Sequence, residues 1–517
     1  MQPPNLCPVF HRDHPSKTPP GGSTLRDPQR STFQEAATGF TAVLVRLHFY
    51  AGLLIGPFLL IATLSGGLYA VAPTLEQVLY RSYLHAETTG PALPVAEQIR
   101  AAQQVHPDLT VTAVRPASEP GETTRVLFDD PTLGESSRRA VFVDPAAAQP
   151  QGDLVVYGSS SALPARSWIS QLHRNLHLGE PGRIYSELAA SWLWVIALGG
   201  LWLWVSRYRR MTARTSTGAR LFTINRETTG RSRTLGWHGA VGLWIVAGLI
   251  FLSATGLTWS TYAGANITAV RAALNWTTPT VATALTDSGP VTDVEEDHDH
   301  SGHNFAAAQE DSDTAAARID EVDRVLQSAR DAGVGGKVEV NIPDEPDIAF
   351  TVAQTRQPWV MSNNAVAVDG ATGRITDSSW FADWPVAAKL AAWGIQLHMG
   401  TLFGVVNQVV LVAALAIALL TVIIRGYIMW WRRRPTRGTG TFGRPPTRGS
   451  IRRVPIATSL AITIVAIVVG WFVPLLGISL LAFLVVDVAV GALGHRAGRP
   501  GLHHSSGREH QDLAPPT

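Results

Sequence analysis

The chain has 517 residues, 46% of them hydrophobic and only 16% charged, with a formal net charge of +2. That composition excludes an ordinary soluble domain and suits a protein with several apolar spans. Its arginines gather beside the apolar runs, a topology signal rather than a nucleic-acid footprint. The single cysteine, Cys7, excludes intramolecular disulfides, a four-thiolate iron–sulfur cluster and a CxxC redox pair, so the sixteen histidines become the natural source of metal ligands.

Residues 1–39, rich in Pro, Ser, Thr and Arg, read as a disordered cytoplasmic tail rather than a cleaved leader, because the first apolar run starts only near Phe40. A first transmembrane helix is expected over 40–72, carrying Arg46, His48, Gly52 and Gly56. The polar section 73–165 reads as a small α+β domain, with helical spacing from Leu93 to Val105 and strands at 125–128 and 140–143. An outer helix and a second span follow over 166–207, then an arginine-rich cytoplasmic loop over 208–234. The third span, 235–262, opens on Trp237-His238-Gly239.

The section 263–385 combines a linker with a second α+β domain. A helix is expected over 315–332 and strands over 337–342, 348–353 and 365–368. Helix and strands recur in the order of the first domain, so the chain reads as internally duplicated. The fourth span lies in 386–432 and closes on Trp430, Trp431 and an arginine run, an interfacial signature of the cytoplasmic face. After a cytoplasmic loop, 433–452, comes a two-helix apolar hairpin, 453–493, that holds Asp487, as either a proton-handling group or a partner of a neighbouring residue. A polar tail, 494–517, ends the chain. The fold class is thus an α-helical integral membrane protein of about six spans, with two small extracytoplasmic α+β domains and both termini in the cytoplasm.

The duplication sharpens the reading of four histidines. His48 is followed by Gly52 and Gly66, and His238 by Gly242 and Gly256, at the same offsets. Leu176-His177-Leu178-Gly179 matches Leu397-His398-Met399-Gly400 ahead of the second and fourth spans. One histidine pair is therefore expected at each membrane face. Imidazoles facing each other between helices, with glycines clearing room for a flat macrocycle, suit bis-histidine haem b ligation at two sites. His173 lies one turn before His177 on the same helix face; His177 is the preferred outer ligand because it has the motif counterpart, and His173 the alternative or a supporting partner. Weaker signals are His298, His300 and His303 among carboxylates, a candidate metal-binding loop, and Gly438–Gly443, which fits G-x-G-x-x-G but follows no strand.

The arrangement resembles the PepSY-associated transmembrane proteins, also called iron-regulated membrane proteins. The motifs that carry the resemblance are R-L-H-x-x-x-G at Arg46–Gly52, L-H-x-x-L-H-L-G at Leu172–Gly179, W-H-x-x-x-G at Trp237–Gly242, L-H-M-G at Leu397–Gly400 and V-D-x-x-T-G at Val368–Gly373. The resemblance covers about residues 40–434 and implies PepSY-like modules in the two polar sections. It also implies a bacterial inner-membrane, di-haem reductase of ferric siderophores or other ferric chelates, with the haem irons on His48, His238, His177 and His398. Its electrons would come from a quinol or a separate reductase. The alternative is a non-enzymatic PepSY membrane protein, a transport accessory or a regulator of extracytoplasmic proteases.

Overall fold

Four helices in the computed structural model, which describes residues 28–213, 220–285, 311–432 and 456–497, are long and apolar enough to cross a membrane. They are residues 40–79 of α1 (Pro28–Leu79), α5 (Glu180–Thr212), α6 (Gly230–Leu257), and the continuous run α10 (Gly404–Val409), π-helical turn (Val410–Ala416) and α11 (Ile417–Trp431). In lipid every backbone N–H and C=O must be satisfied within the segment, which is why such runs fold as helices. α1 packs on α5, α5 on α6, α6 on α11, and α11 back on α1, closing a four-helix bundle. Its interior holds Ile55, Leu59, Trp192, Leu193, Ile245 and Leu249.

Between the spans, the chain leaves one end of the bundle twice. The first excursion runs α2 (Arg81–Leu84), α3 (Val95–Gln103), β1 (Thr110–Arg115), β2 (Thr124–Asp129), β3 (Ser137–Asp144), β4 (Gln149–Tyr157) and α4 (Pro164–Asn175). After α7 (Tyr262–Ala273), the second runs α8 (Asp311–Asp331), β5 (Val338–Asn341), β6 (Phe350–Gln354), β7 (Ala365–Val368), β8 (Ile375–Ser379) and α9 (Val386–His398). The two modules do not stand apart. Their strands form one eight-stranded antiparallel sheet in the order β4-β3-β2-β1-β5-β6-β7-β8, joined where Ala113 pairs with Asn341 and Val114 with Val340.

One face of that sheet buries Val114, Val126, Phe128, Val141, Val340, Phe350, Val352 and Val366 under α3 and α8. Side chains alternate between the faces of a strand, so the intervening residues look toward the bundle. Asp323 of α8 accepts the Val95 and Ala96 amides at the start of α3, at 2.8 and 3.0 Å, which ties the modules a second time. Asp369 of the V-D-x-x-T-G motif and Asp144 of the corresponding Val143-Asp144-Pro145 accept the amides of Ala371 and Ala146 and so close the turns after β7 and β3.

A hairpin of two shorter apolar helices, α12 (Ile456–Phe472) and α13 (Pro474–Ala497), lies against the outside of the bundle. Trp192 donates to Ser479 at 2.9 Å, and Asn266 of α7 donates to the Phe472 carbonyl at 3.0 Å. Asp487 forms an ion pair with Arg46 of α1, two residues from His48. Asp487 thus has a neighbouring-helix partner, as the second of its two readings expects.

Candidate functional site: two facing histidine pairs

His48 of α1 faces His238 of α6, with 6.2 Å between ring centres and 81° between ring planes. At the sheet end of the bundle His173 of α4 faces His398 of α9, at 6.5 Å and 62°. Along α1, His48 and Gly66 are 18 residues apart, about 27 Å at 1.5 Å per residue, so the pairs sit near opposite ends of a span.

The structure brings together His173 and His398, and not His177. Helix α4 ends at Asn175, and Leu176 and His177 both take the left-handed conformation (φ 56° each), turning the chain back toward α5. His177 is thereby exposed, its ring stacked on Trp168 at 4.9 Å. Gly182 makes the reversal possible, since a Cβ there would collide with the Asn175 carbonyl. The sequence preference for His177 is corrected on this point of placement.

Each of the four rings is held at Nδ1 by one group from a neighbouring helix. His48 Nδ1 lies 3.1 Å from the Ile196 carbonyl, and His238 Nδ1 lies 2.9 Å from the Val422 carbonyl. A carbonyl only accepts, so both rings carry their proton on Nδ1. His173 Nδ1 lies 3.0 Å from Ser65 Oγ, and His398 Nδ1 lies 2.6 Å from Thr255 Oγ1. Those hydroxyls already donate within their own helices, Ser65 to the Ile61 carbonyl at 2.7 Å and Thr255 to the Phe251 carbonyl at 2.8 Å. They must therefore accept from Nδ1–H. All four imidazoles are left with Nε2 as the basic nitrogen, the atom a metal would take.

Glycines lie against the rings. A Cβ on Gly200 would stand 3.0 Å from His48 Cε1, one on Gly66 3.0 Å from His173 Cε1, one on Gly426 3.6 Å from His238 Cε1, and one on Gly256 4.0 Å from His398 Cε1. Gly52 and Gly242, one turn along from His48 and His238, face open space, with nothing within 4 Å of a built Cβ. A small cavity beside His48 is lined by Leu44, Leu47, Ala51, Val195 and Gly199. Sequence reasoning missed Ser65, Thr255, Gly200 and Gly426. The signal was there: Ser65-Gly66 and Thr255-Gly256 are a repeated hydroxyl–glycine pair 17 residues after each first histidine.

The PepSY-associated TM region family model matches residues 45–433, which includes both histidine pairs and the whole sheet. The chain belongs to that family. No curated protein matches it. This PepSY-TM protein carries its α12–α13 hairpin beyond the matched region.

Could the paired imidazoles of this PepSY-TM protein take a metal macrocycle? Two metal–nitrogen bonds of about 2 Å, extended from each nitrogen to its ring centre, place trans imidazole centres roughly 6 Å apart. The observed 6.2 and 6.5 Å agree. Basic Nε2 atoms and glycine-cleared helix faces also fit a flat, bis-imidazole-ligated group such as haem b. Among the described residues no cluster of three or more His, Cys, Asp or Glu could hold a bare metal ion. His298, His300 and His303, and the glycine-rich 438–443 stretch, lie outside the described residues.

Proposed function

We propose that this membrane protein is a two-haem electron carrier that reduces a ferric chelate at the sheet end of its bundle. The observation that carries the reading is the pair of facing imidazole couples, each ring locked with Nε2 basic and its opposite ring at haem-iron spacing. His48 and His238 would hold one haem b, His173 and His398 the other. Haem b held by two imidazoles supplies a one-electron couple with no open position for oxygen chemistry.

The protein's own groups orient the site. Ile196 and Val422 carbonyls and Ser65 and Thr255 hydroxyls fix each ring, and the apolar bundle between the pairs excludes water. Arg207, Arg209, Arg210, Arg231 and Arg233 mark the end near His48 and His238. By the positive-inside rule that end is cytoplasmic, in a bacterial inner membrane, and the sheet is outside. A quinol oxidised to the quinone releases two electrons and two protons, which balances the reduction of two Fe(III) chelates to Fe(II); a separate reductase could supply the electrons instead. Fe(II) is held less tightly than Fe(III) by hard oxygen ligands, so the chelate releases it.

The test is direct. Protein purified from haem-replete cells should carry two b-type haems per chain by visible absorption and pyridine haemochrome assay. Reduced protein, freed of reductant and mixed anaerobically with a ferric siderophore and a ferrous trap, should reoxidise as ferrous iron is captured. A colourless protein overturns the reading and leaves the transport-accessory or protease-regulator role in its place.

A further inference from the structure

Between the sheet and the bundle, at the end that holds the His173–His398 pair, arginines outnumber carboxylates. Arg115 of β1, Arg125 of β2 and Arg138 of β3 project from the bundle-facing side of the sheet. Arg166 of α4 and Arg356 of the loop after β6 approach from below. Two carboxylates pair directly with these five, and Glu122, itself paired with Lys337, acts on Arg125 from farther off. Glu339 pairs with Arg115 and with Arg138 (3.2 Å), and Glu76 lies 3.3 Å from Arg166. Neither Arg125 nor Arg356 has a carboxylate within ion-pair reach among the described residues. Arg125 rests over the Phe142 ring at 5.4 Å, and Arg356 reaches only the Met399 sulfur at 3.6 Å, beside His398.

Both guanidiniums are partly buried. Burial, with Arg115 close by, pulls the Arg125 pKa down to about 10, and burial likewise lowers that of Arg356. Buried positive charge without a partner is unfavourable and is ordinarily relieved by a counter-anion. The groups form one field: Arg125 interacts with Arg115, Glu76, Arg166 and Glu122, while Tyr69, one turn beyond Ser65, interacts with Arg166, Glu76, Arg356 and Arg174. The cluster reaches the surface where Arg115 donates to the exposed Ser159 carbonyl at 2.7 Å.

Guanidinium forks match carboxylates in shape as well as charge. Five forks on three strands, a helix and a loop call for a ligand with several carboxylates. From this geometry we infer that the arginine cluster is a polycarboxylate-binding site at the end that holds the sheet-side histidine pair, and that a polycarboxylate ferric chelate occupies it. The inference rests on the electron-transfer reading for its purpose, though the site itself can be tested alone. Carboxylates could have a second source, the propionates of a sheet-side haem, and the experiment separates the two.

The probe is gallium(III) citrate, a redox-inert stand-in, titrated into the full-length protein in nanodiscs, with an uncharged gallium(III) trihydroxamate as control. Saturable citrate-complex binding that weakens with salt is expected, with little binding of the uncharged complex. Arg125→Gln and Arg356→Gln should each weaken it about tenfold, Arg125→Lys less, with haem content unchanged. Equal binding of both probes, or none of the citrate complex, overturns the site; so does loss of the sheet-side haem alone in the glutamine variants, which would assign the arginines to propionates. If those variants fail to fold, salt dependence and the probe comparison on the unaltered protein decide. Citrate-complex binding by a haem-free protein keeps the site and removes the reductase reading. Reduction of hydroxamate chelates by a protein that ignores gallium citrate does the reverse.

Discussion

Ser65 and Thr255 hold the same place in the two halves of the bundle: each hydroxyl donates to the carbonyl four residues back and accepts the Nδ1 proton of a histidine from another helix. Removing either acceptor frees a ring to rotate or change tautomer. Groups that orient a metal-bound histidine typically contribute 10- to 100-fold in affinity. Ser65→Ala and Thr255→Val should therefore weaken haem retention about tenfold at the sheet-side site and leave the other site full, as read by haem titration of stripped protein. Equal loss at both sites would show that the hydroxyls act on the fold.

His173→Ala should lose one haem of two, and His177→Ala none. The measurement is haem-to-protein ratio, with electron paramagnetic resonance to tell which low-spin signal disappears. Retention of both signals in His173→Ala would remove His173 from the site.

The sequence makes the four spans, the duplication and three of the four facing histidines legible, because apolar length and repeated offsets are local properties. His177 misled because its L-H-x-G string repeats at His398. String identity overlooks where a helix ends: α9 runs through His398, whereas α4 stops at Asn175. Counting to the glycine that seats the opposite histidine would have decided it. His173 precedes Gly200 by 27 residues and His398 precedes Gly426 by 28, but His177 precedes Gly200 by only 23. Strands β1, β4 and β8 were not expected, and neither was the joining of the modules. The pairing of β1 with β5 links residues more than 200 positions apart, beyond the reach of any local pattern.

Gly200→Val should disturb only the His48–His238 site. Even a Cβ there stands 3.0 Å from His48 Cε1, and the added methyls must turn the ring. A fall of about tenfold or more in haem affinity at that site is expected. The control, Gly52→Ala, adds its methyl to open space and should fold normally while filling volume beside the pair.

Glu339→Gln should loosen the seam between the modules, because Glu339 on β5 answers Arg115 on β1 and Arg138 on β3. Breaking such a partly buried network costs on the order of 3 kcal/mol, and hydrogen exchange should rise in β1 and β5 first. Burial would raise the Glu339 pKa, but Arg115 and Arg138 outweigh it and hold the carboxyl below its ordinary value. A depressed folded-state pKa means this stabilisation is complete above the ordinary carboxylate range and lost as pH falls through the lower value. The unaltered protein should thus show acid-induced exchange at the seam that Glu339→Gln lacks.

The seam also sets an order of events during synthesis. Strand β1 finds its second neighbour only when Val340 and Asn341 emerge, some 227 residues after Val114. At about 5–20 residues per second, that interval is roughly 11–45 s. Throughout it the first four strands present an open edge, the kind that recruits foreign strands. The acid–amide clasp between Asp323 and the start of α3 also waits for the second half. The nascent first module must therefore be kept from pairing elsewhere until its own second half arrives, so a chain halted between the third span and β5 should be the aggregation-prone species of this protein.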